Sequence, residues 1–192
     1  MEKQLLIFAL GAMLLLSGCR RAERPTPETA AALYRGARVR AEIAVSAGGE
    51  YPADYGVSVV CAEGGESAAE ITAPADVAGV RAVLTDGTAR LAYDGAALET
   101  FLPALPGYVP ADVLTGLVTA LAQAAPVEWG YETLDGVPAL AITYQDDFPS
   151  VTGLRRVWLR EADLALLQAE CYLDDSMMLR VRCDSFALTS AE

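Results

Sequence analysis

The side chains that could carry out acid–base chemistry in this sequence are two pairs of adjacent aspartates. Asp146-Asp147 and Asp174-Asp175 could act as general acid and base, as paired carboxylates do in some hydrolases. Both pairs fall at the ends of predicted strands, where aspartate commonly forms turns. The chain has no histidine, the usual general base near neutral pH and the most frequent metal ligand. Since it also has no GxSxG elbow, phosphate loop or metal-ligand motif, we expect no enzymatic activity, no cofactor and no metal.

One cysteine stands where a covalent modification is expected. Lys3 precedes an apolar stretch from Leu5 to Leu16, which is about a dozen residues and shorter than the roughly 20 that span a bilayer. Leu16-Ser17-Gly18-Cys19 resembles the lipobox of bacterial lipoproteins, in which the cysteine receives diacylglycerol before cleavage. We therefore expect residues 1–18 to be a lipoprotein signal peptide. The alternative is an ordinary signal peptide that contains a cysteine.

Lipidation of Cys19 predicts an anchor. Acyl chains such as palmitate would hold the protein on the extracytoplasmic face of a cell membrane, and two or three chains anchor stably. In a single-membrane bacterium this is the outer leaflet of the cytoplasmic membrane. In a two-membrane bacterium, Arg20 replaces the aspartate usually associated with inner-membrane retention. The destination membrane therefore stays open.

The charge of the chain limits its partners. The formal net charge is −12, so nucleic acid and anionic lipid surfaces would repel most of the molecule. Arg20-Arg21, beside the expected lipid, is a local exception. The acidic surface suits a basic protein partner, and a solvated surface without a partner explains it equally well.

The start of the chain after the cysteine predicts a tether followed by a helix. Residues 19–27 are polar and contain prolines, as linkers do. Thr26 is a suitable N-cap and Pro27 a suitable first helical residue. The helix should end near Arg35, before Gly36, within a domain that we place at residues 28–190.

Period-two alternation of apolar residues predicts that most of this domain is β-structure. Asp86-Gly87 and Asp135-Gly136 separate β-rich segments, and Asp-Gly favours the tight type I′ hairpin turn. Together these features indicate a meandering antiparallel sheet. The predicted strands cover residues 39–45, 55–61, 67–72, 80–84, 88–93, 127–133, 137–144, 154–160, 164–173 and 177–186.

The middle of the chain departs from this pattern. Residues 101–110 form a proline-rich apolar loop. Residues 112–124 then place four large apolar side chains on one helical stripe, and Pro126 ends it. Such a long loop often covers something. The stripe consists of Leu114, Leu117, Val118 and Leu121.

The last hairpin can be aligned from its residues. With residues 174–176 as the loop, Leu173 faces Met177, Glu170 faces Arg180 and Gln168 lies beside Arg182. In this alignment Cys171 faces Leu179 and Cys183 faces Leu167, so the two cysteines are too far apart for a disulfide. We expect both of them, and Cys61, to be small buried side chains.

The chain resembles the LolA/LolB-like lipoprotein family over roughly residues 28–188, and members from spore-forming Gram-positive bacteria are most similar in style. The resemblance implies a mainly β (α+β) fold, in which a curved antiparallel sheet forms an unclosed barrel and helices cover its concave face. It rests on Ile71-Thr-Ala-Pro74 with Val77-Ala-Gly-Val80, Leu91-Ala-Tyr-Asp-Gly95, Val157-Trp-Leu159, Leu164–Tyr172 and Val181–Phe186.

The resemblance also implies a function, because carrier members take acyl chains into the apolar hollow. The first hypothesis is lipid or acyl-chain binding, with residues 101–124 as a lid. The apolar lid residues could equally be plain core. The second hypothesis is a tethered interaction or scaffold protein that binds an envelope or cell-wall enzyme, including in sporulation or germination. The candidate ligand-binding residues are Phe101, Leu102, Leu105, Tyr108 and Val109.

Overall fold

The computed structural model describes residues 23–49, 52–63, 65–85, 88–101 and 105–189. Within these ranges the chain forms two helices and eleven strands. The helices are α1 (Pro27–Tyr34) and α2 (Val113–Gln123). The strands are β1 (Arg38–Ala47), β2 (Ala53–Ala62), β3 (Ser67–Ala73), β4 (Arg81–Thr85), β5 (Thr88–Tyr93), β6 (Ala96–Phe101), β7 (Glu128–Leu134), β8 (Val137–Asp147), β9 (Thr152–Arg160), β10 (Leu166–Leu173) and β11 (Ser176–Thr189).

All eleven strands belong to one antiparallel sheet that does not close into a barrel. Its order is β6-β5-β4-β3-β2-β1-β11-β10-β9-β8-β7, so two meanders meet where β1 pairs with β11. The edges are β6 and β7, which do not pair with each other. The predicted fold class, a mainly β unclosed barrel with helices, is confirmed.

The core lies on the concave face of the sheet. In β1 every second residue is buried, from Val39 to Val45, as the alternation predicts. The inward-facing residues of most strands join α1 and α2 in one hydrophobic cluster. Tyr34 at the end of α1 is fully buried, and its hydroxyl donates a hydrogen bond of 2.8 Å to the carbonyl oxygen of Leu164. Both helices therefore pack over the inside of the half-barrel.

The start of α1 follows the sequence prediction. Thr26 and Thr29 form a reciprocal capping box, and Pro27 is the first helical residue. The helix ends at Tyr34 with Arg35 as its C-cap. The predicted signal peptide, residues 1–18, and the lipidation site Cys19 lie outside the described residues. No helix among the described residues is both long enough and apolar enough to cross a membrane.

Hairpin turns account for one correct prediction and one omission. Asp135 and Gly136 both have positive φ, 49° and 83°, as a type I′ turn requires. Asp94-Gly95 makes the same kind of turn, with φ of 46° and 79°, and leads into β6, which is absent from the predicted strands. Every residue of β6 is exposed, so no alternating burial marks it as a strand. Asp86-Gly87 lies outside the described residues.

The final hairpin follows the predicted alignment only in its middle. Glu170 pairs with Arg180, and Cys171 pairs with Leu179, as expected. The predicted Leu173–Met177 pair is wrong, because a bulge after Cys171 shifts the register and Leu173 pairs with Ser176. The turn is therefore formed by two residues, Asp174 and Asp175, both with positive φ.

The three described cysteines are free, which confirms that Cys171 and Cys183 do not bond to each other. The predicted Cys183–Leu167 pair does not form: the β10–β11 pairs end at Gln168–Arg182, and a second bulge in β10 places Leu167 on the convex face beside Trp158. On its other side, Cys183 pairs with Ile43 of β1. Burial raises the pKa of Cys61, Cys171 and Cys183 to about 12 each. Their thiols therefore stay protonated near neutral pH. Cys61 and Cys171 are buried, as predicted, whereas Cys183 is only partly buried.

Candidate functional site

A cleft of about 470 Å³ lies between α2 and the concave face of β4. One end is apolar and opens toward β4, and the other end is polar. The helix contributes most of one wall, and the loop before α2 and the strands β8 and β9 contribute the polar end. The cleft is lined by Leu84, Pro106, Gly107, Asp112, Thr115, Gly116, Thr119, Ala120, Gln123, Ala124, Asp146 and Arg155.

The cleft stays open because one face of α2 carries small side chains. Leu117 and Leu121 point to the other side of the helix and are fully buried in the core. The cleft side has residues spaced three and four apart, which places them on one helical face. Four of them are small, Thr115, Gly116, Thr119 and Ala120, and the fifth is Gln123 at the end of α2.

The opposite wall continues as an apolar surface without a helix over it. Ala82 of β4 pairs with Leu91 of β5, which pairs with Leu98 of β6. Directly opposite residues of antiparallel strands share a face, so the three side chains form one concave row. Ala82 is 4% exposed, whereas Leu98 is 62% exposed. Apolar surface thus runs from the cleft out to the β6 edge.

The polar end of the cleft is built around Arg155. Its side chain is only 6% exposed, and its Nε lies 2.6 Å from Oδ2 of Asp146. One Nη donates a hydrogen bond of 2.8 Å to the carbonyl oxygen of Pro106, and the guanidinium lies 4.9 Å from the ring centre of Tyr108. The Tyr108 hydroxyl donates to Asp146 at 2.8 Å. Arg155 therefore ties the loop before α2 to β8 and β9.

A second carboxylate holds the same loop in shape. Asp112, the residue before α2, is 5% exposed and accepts backbone hydrogen bonds from Gly107 at 2.9 Å and Val109 at 3.2 Å. Burial raises the pKa of Asp112, and these two N–H groups and the charge of Arg155 oppose that shift. Asp112 thus fixes the turn that closes the end of the cleft.

Two glycines make room for the guanidinium of Arg155. A Cβ on Gly116 would lie 2.5 Å from Nη1 of Arg155 and 2.7 Å from the Cα of Gly107. A Cβ on Gly107 would lie 2.8 Å from the same Nη1, and its φ of +80° also favours glycine. The loop and the helix can approach each other over Arg155 only because both positions lack a side chain.

Two hydroxyls near the cleft have no hydrogen-bond partner among the described residues, Ser67 Oγ and Thr115 Oγ1. Thr115 lines the cleft, and Ser67 pairs in register with Leu84 of its wall. Buried hydroxyls normally find a partner, because an unpaired one costs about 1–3 kcal/mol. Both oxygen atoms are themselves buried, so a ligand in the cleft would contact them only if neighbouring side chains moved.

The structure does not gather the five lid residues on one surface. Phe101 ends β6 and is 85% exposed, on the face opposite that of Leu98. Leu105 and Tyr108 pack against the core, as the plain-core alternative held. Val109 is half-buried, and Leu102 lies outside the described residues. That these residues contact a ligand stays a prediction.

The residues that shape the cleft were not predicted from the sequence, although one signal was available. Gly153, Arg155, Val157 and Leu159 alternate along β9, and all four are buried. An arginine at an inward position of a strand is unusual, because a buried charge needs a partner. The aspartate pairs were interpreted as turn residues. Asp174 does form a turn, whereas Asp146 is the carboxylate that pairs with the buried Arg155.

No group of three or more His, Cys, Asp or Glu side chains that could hold a metal occurs within the described ranges. The carboxylates of the cleft already have partners: Arg155 and Tyr108 for Asp146, and backbone N–H groups for Asp112. The arrangement fits binding of an apolar molecule.

No protein-family model matches the sequence, and a search of curated proteins finds no match. Solved structures do match. An uncharacterized conserved protein from Thermus thermophilus gives a TM-score of 0.54 at 9% identity, covering 86% of this chain and 87% of that one. A putative outer membrane lipoprotein-sorting protein domain from Vibrio parahaemolyticus gives a TM-score of 0.48 at 9% identity, and the match covers 87% of this chain and 95% of that one. A LolA superfamily protein from Nitrosomonas europaea gives a TM-score of 0.41 at 14% identity, and the match covers 86% of this chain and 92% of that one.

The structural neighbours thus include a LolA superfamily protein and a lipoprotein-sorting domain. At these identities the likeness concerns the fold alone, so the function of this chain has to be argued from its own cleft. The predicted resemblance to LolA/LolB-like proteins is confirmed at that level.

Proposed function

We propose that this protein is an extracytoplasmic lipoprotein, anchored through Cys19, that binds an acyl chain of a lipid in the cleft beside α2. One observation carries the proposal: the small face of α2 stands apart from the apolar concave wall of β4 and leaves about 470 Å³ between them. Ligand sites commonly measure roughly 300–1,000 Å³ and combine apolar walls with a few polar groups.

The polar groups of the cleft favour a lipid over a small anion. Arg155 is the only cation among the described lining residues, and Asp146 already neutralises it. An anion would have to compete with this buried ion pair. An acyl chain would instead bury apolar surface along the row from Ala82 to Leu98, at about 25 cal/mol per Å².

The anchor defines the kind of lipid-binding protein that we propose. A chain held by its own acyl groups cannot cross a compartment as a soluble carrier does. It can receive a lipid or lipoprotein from a partner, or present one at the membrane. A stationary binding role on the extracytoplasmic face, without catalysis, is therefore part of the proposal.

The test is to block the cleft without disturbing the core. Thr119 is exposed and lines the cleft, so Thr119→Phe should place a ring in the space that an acyl chain would occupy. Ala32→Phe on the exposed face of α1 adds the same ring away from the cleft and serves as the control. We expect a fluorescent fatty acid to bind the wild type and the Ala32→Phe variant, and to bind Thr119→Phe much more weakly.

Native mass spectrometry of the protein purified from cell envelopes provides a second readout. Co-purified lipid in the wild type, reduced in Thr119→Phe, would support the proposal. A protein that carries no lipid and binds no fatty acid would contradict it. Equal binding by both variants would place the ligand elsewhere.

A protein partner is the second candidate, and the β6 edge favours it. Every residue of β6 is exposed, and its outer edge is unpaired within the described part of the chain. Such an edge can accept a strand from another protein. An envelope or cell-wall enzyme, including one of sporulation or germination, could bind in this way. Thr100→Pro should abolish its capture in pull-downs from native envelopes, and capture unaffected by this change would exclude the edge.

A further inference from the structure

The N-terminal segment is fixed against the edge strand β7. The guanidinium of Arg24 lies 3.5 Å from the ring centre of Tyr131, and its Nε donates a hydrogen bond of 2.9 Å to Glu161. The Tyr131 hydroxyl donates a hydrogen bond of 3.0 Å to the carbonyl oxygen of Pro25. The chain therefore meets the folded domain at Tyr131.

Exposed apolar side chains lie next to that point. Trp129 is 46% exposed and Val127 is 58% exposed, although both are large and apolar. The rings of Trp129 and Tyr131 contact each other edge to face, with 5.9 Å between their centres. Trp129 thus stands one side chain away from the place where Arg24 is held.

The length of chain before Arg24 limits how far the membrane can be. Cys19 precedes Arg24 by five residues, and five residues span at most about 18 Å even when fully extended. If Cys19 carries the lipid, as the proposed function holds, the bilayer surface must lie within that distance of Arg24. Trp129 and Val127 are then within reach of the headgroup layer.

We infer that Val127 and Trp129 form a membrane-docking lip that rests in the headgroup layer of the bilayer holding the anchor. Tryptophan favours this layer, because its ring is apolar while its N–H can hydrogen-bond to water or lipid. Arg24, paired with Glu161, lies beside it, and Arg20 and Arg21 follow the expected lipid in the sequence of a chain that is otherwise strongly acidic. Two side chains are too few for a stable protein interface, which buries about 800 Å² on each partner.

The lip would also orient the domain. The edges β7 and β6 lie at opposite ends of the sheet order. When β7 lies on the bilayer, β6 and its exposed Leu98 are therefore at the other end of the sheet order. The inference rests on the proposed anchoring, but it is independent of the cleft, because neither Val127 nor Trp129 lines it.

Tryptophan fluorescence can test the lip, because the chain has only two tryptophans. The lipidated full chain is incorporated into phosphatidylcholine–phosphatidylglycerol vesicles, with or without brominated acyl chains. Trp158→Phe leaves Trp129 as the reporter, and Trp129→Phe leaves Trp158, which is 7% exposed on the convex face. Adding Phe101→Trp to a chain that lacks both tryptophans reports on the β6 edge, at the other end of the sheet order.

We expect bromolipid to quench Trp129 and vesicles to shift its emission to the blue, with neither effect at position 158 or 101. If Trp158→Phe does not fold, the difference between the wild type and Trp129→Phe gives the same information. A chain that floats with the vesicles while Trp129 stays unquenched overturns the lip but keeps the anchor. A chain that does not float overturns both.

Discussion

Replacing Arg155 by methionine should destabilise the protein far more than a charge deletion at the surface. The change removes a side chain that is 6% exposed, leaves Asp146 with only the Tyr108 hydroxyl as a partner, and removes the donor to the carbonyl oxygen of Pro106. Breaking a buried ion pair from one side typically costs about 3–5 kcal/mol. Because the Asp146 side chain is 26% exposed and water can partly replace the arginine, we expect about 3 kcal/mol.

The next residue along β9 provides a matched control. Arg156 pairs with Glu132 on the outer face, and their side chains are 44% and 40% exposed. Exposed ion pairs contribute about 0–1 kcal/mol, so Arg156→Met should change the free energy of unfolding by no more than that. For a chain of this size, the loss at Arg155 corresponds to a fall in Tm of roughly 6–12 °C.

Urea denaturation followed by circular dichroism measures these differences, and a double-mutant cycle assigns their cause. If Arg155 is needed mainly to neutralise Asp146, Arg155→Met in an Asp146→Asn background should cost clearly less than in the wild type. Equal losses for Arg155→Met and Arg156→Met, or strictly additive losses in the cycle, would refute the role that we assign to the buried pair.

Two further predictions concern packing and titration. Gly116→Ala should lower the free energy of unfolding by about 1–3 kcal/mol, because its Cβ would meet Arg155 and Gly107, even though alanine favours helix. Gly130→Ala, which meets nothing within 4 Å, should stay within about 0.5 kcal/mol of the wild type in the same urea experiment. Because burial raises the thiol pKa values of the three described cysteines to about 12, above about 8.5 for a free thiol, the folded state keeps protons that the unfolded state loses. This stabilisation is complete below about pH 8.5 and disappears as the pH rises toward 12. A triple Cys→Ala variant should therefore lose less stability than the wild type between about pH 9 and pH 11. If the free energy of unfolding falls equally with pH in both proteins, the thiols do not have these raised pKa values.

The strands with one buried and one exposed face were predictable from sequence. The alternation from Val39 to Val45 reflects one buried and one exposed face of β1, and the Asp135-Gly136 turn reflects positive φ at both residues. The structure contains both features. β6 was missed because both of its faces are exposed, so its sequence carries no alternation. The Asp94-Gly95 turn before it was the available signal.

The candidate site was harder to predict, because it depends on contacts between distant segments. The polar end of the cleft is formed where Gly116 of α2, Gly107 of the loop and Arg155 of β9 meet, and no local pattern relates these three positions. Bulges had a similar effect on the last hairpin. One bulge after Cys171 changed the pairing of Leu173, and another turned Leu167 outward. Small residues and bulges produce only weak sequence patterns, yet they determine where side chains point.

The central claim is that an acyl chain occupies the cleft between α2 and β4, and photo-crosslinking tests it most directly. A fatty acid with a diazirine near its middle is bound to the full chain, irradiated and located by mass spectrometry of peptides. We predict labels on cleft residues such as Leu84, Thr119 and Ala120, with less labelling in the Thr119→Phe variant. Labels confined to the convex face, or labelling that Thr119→Phe leaves unchanged, would contradict the claim.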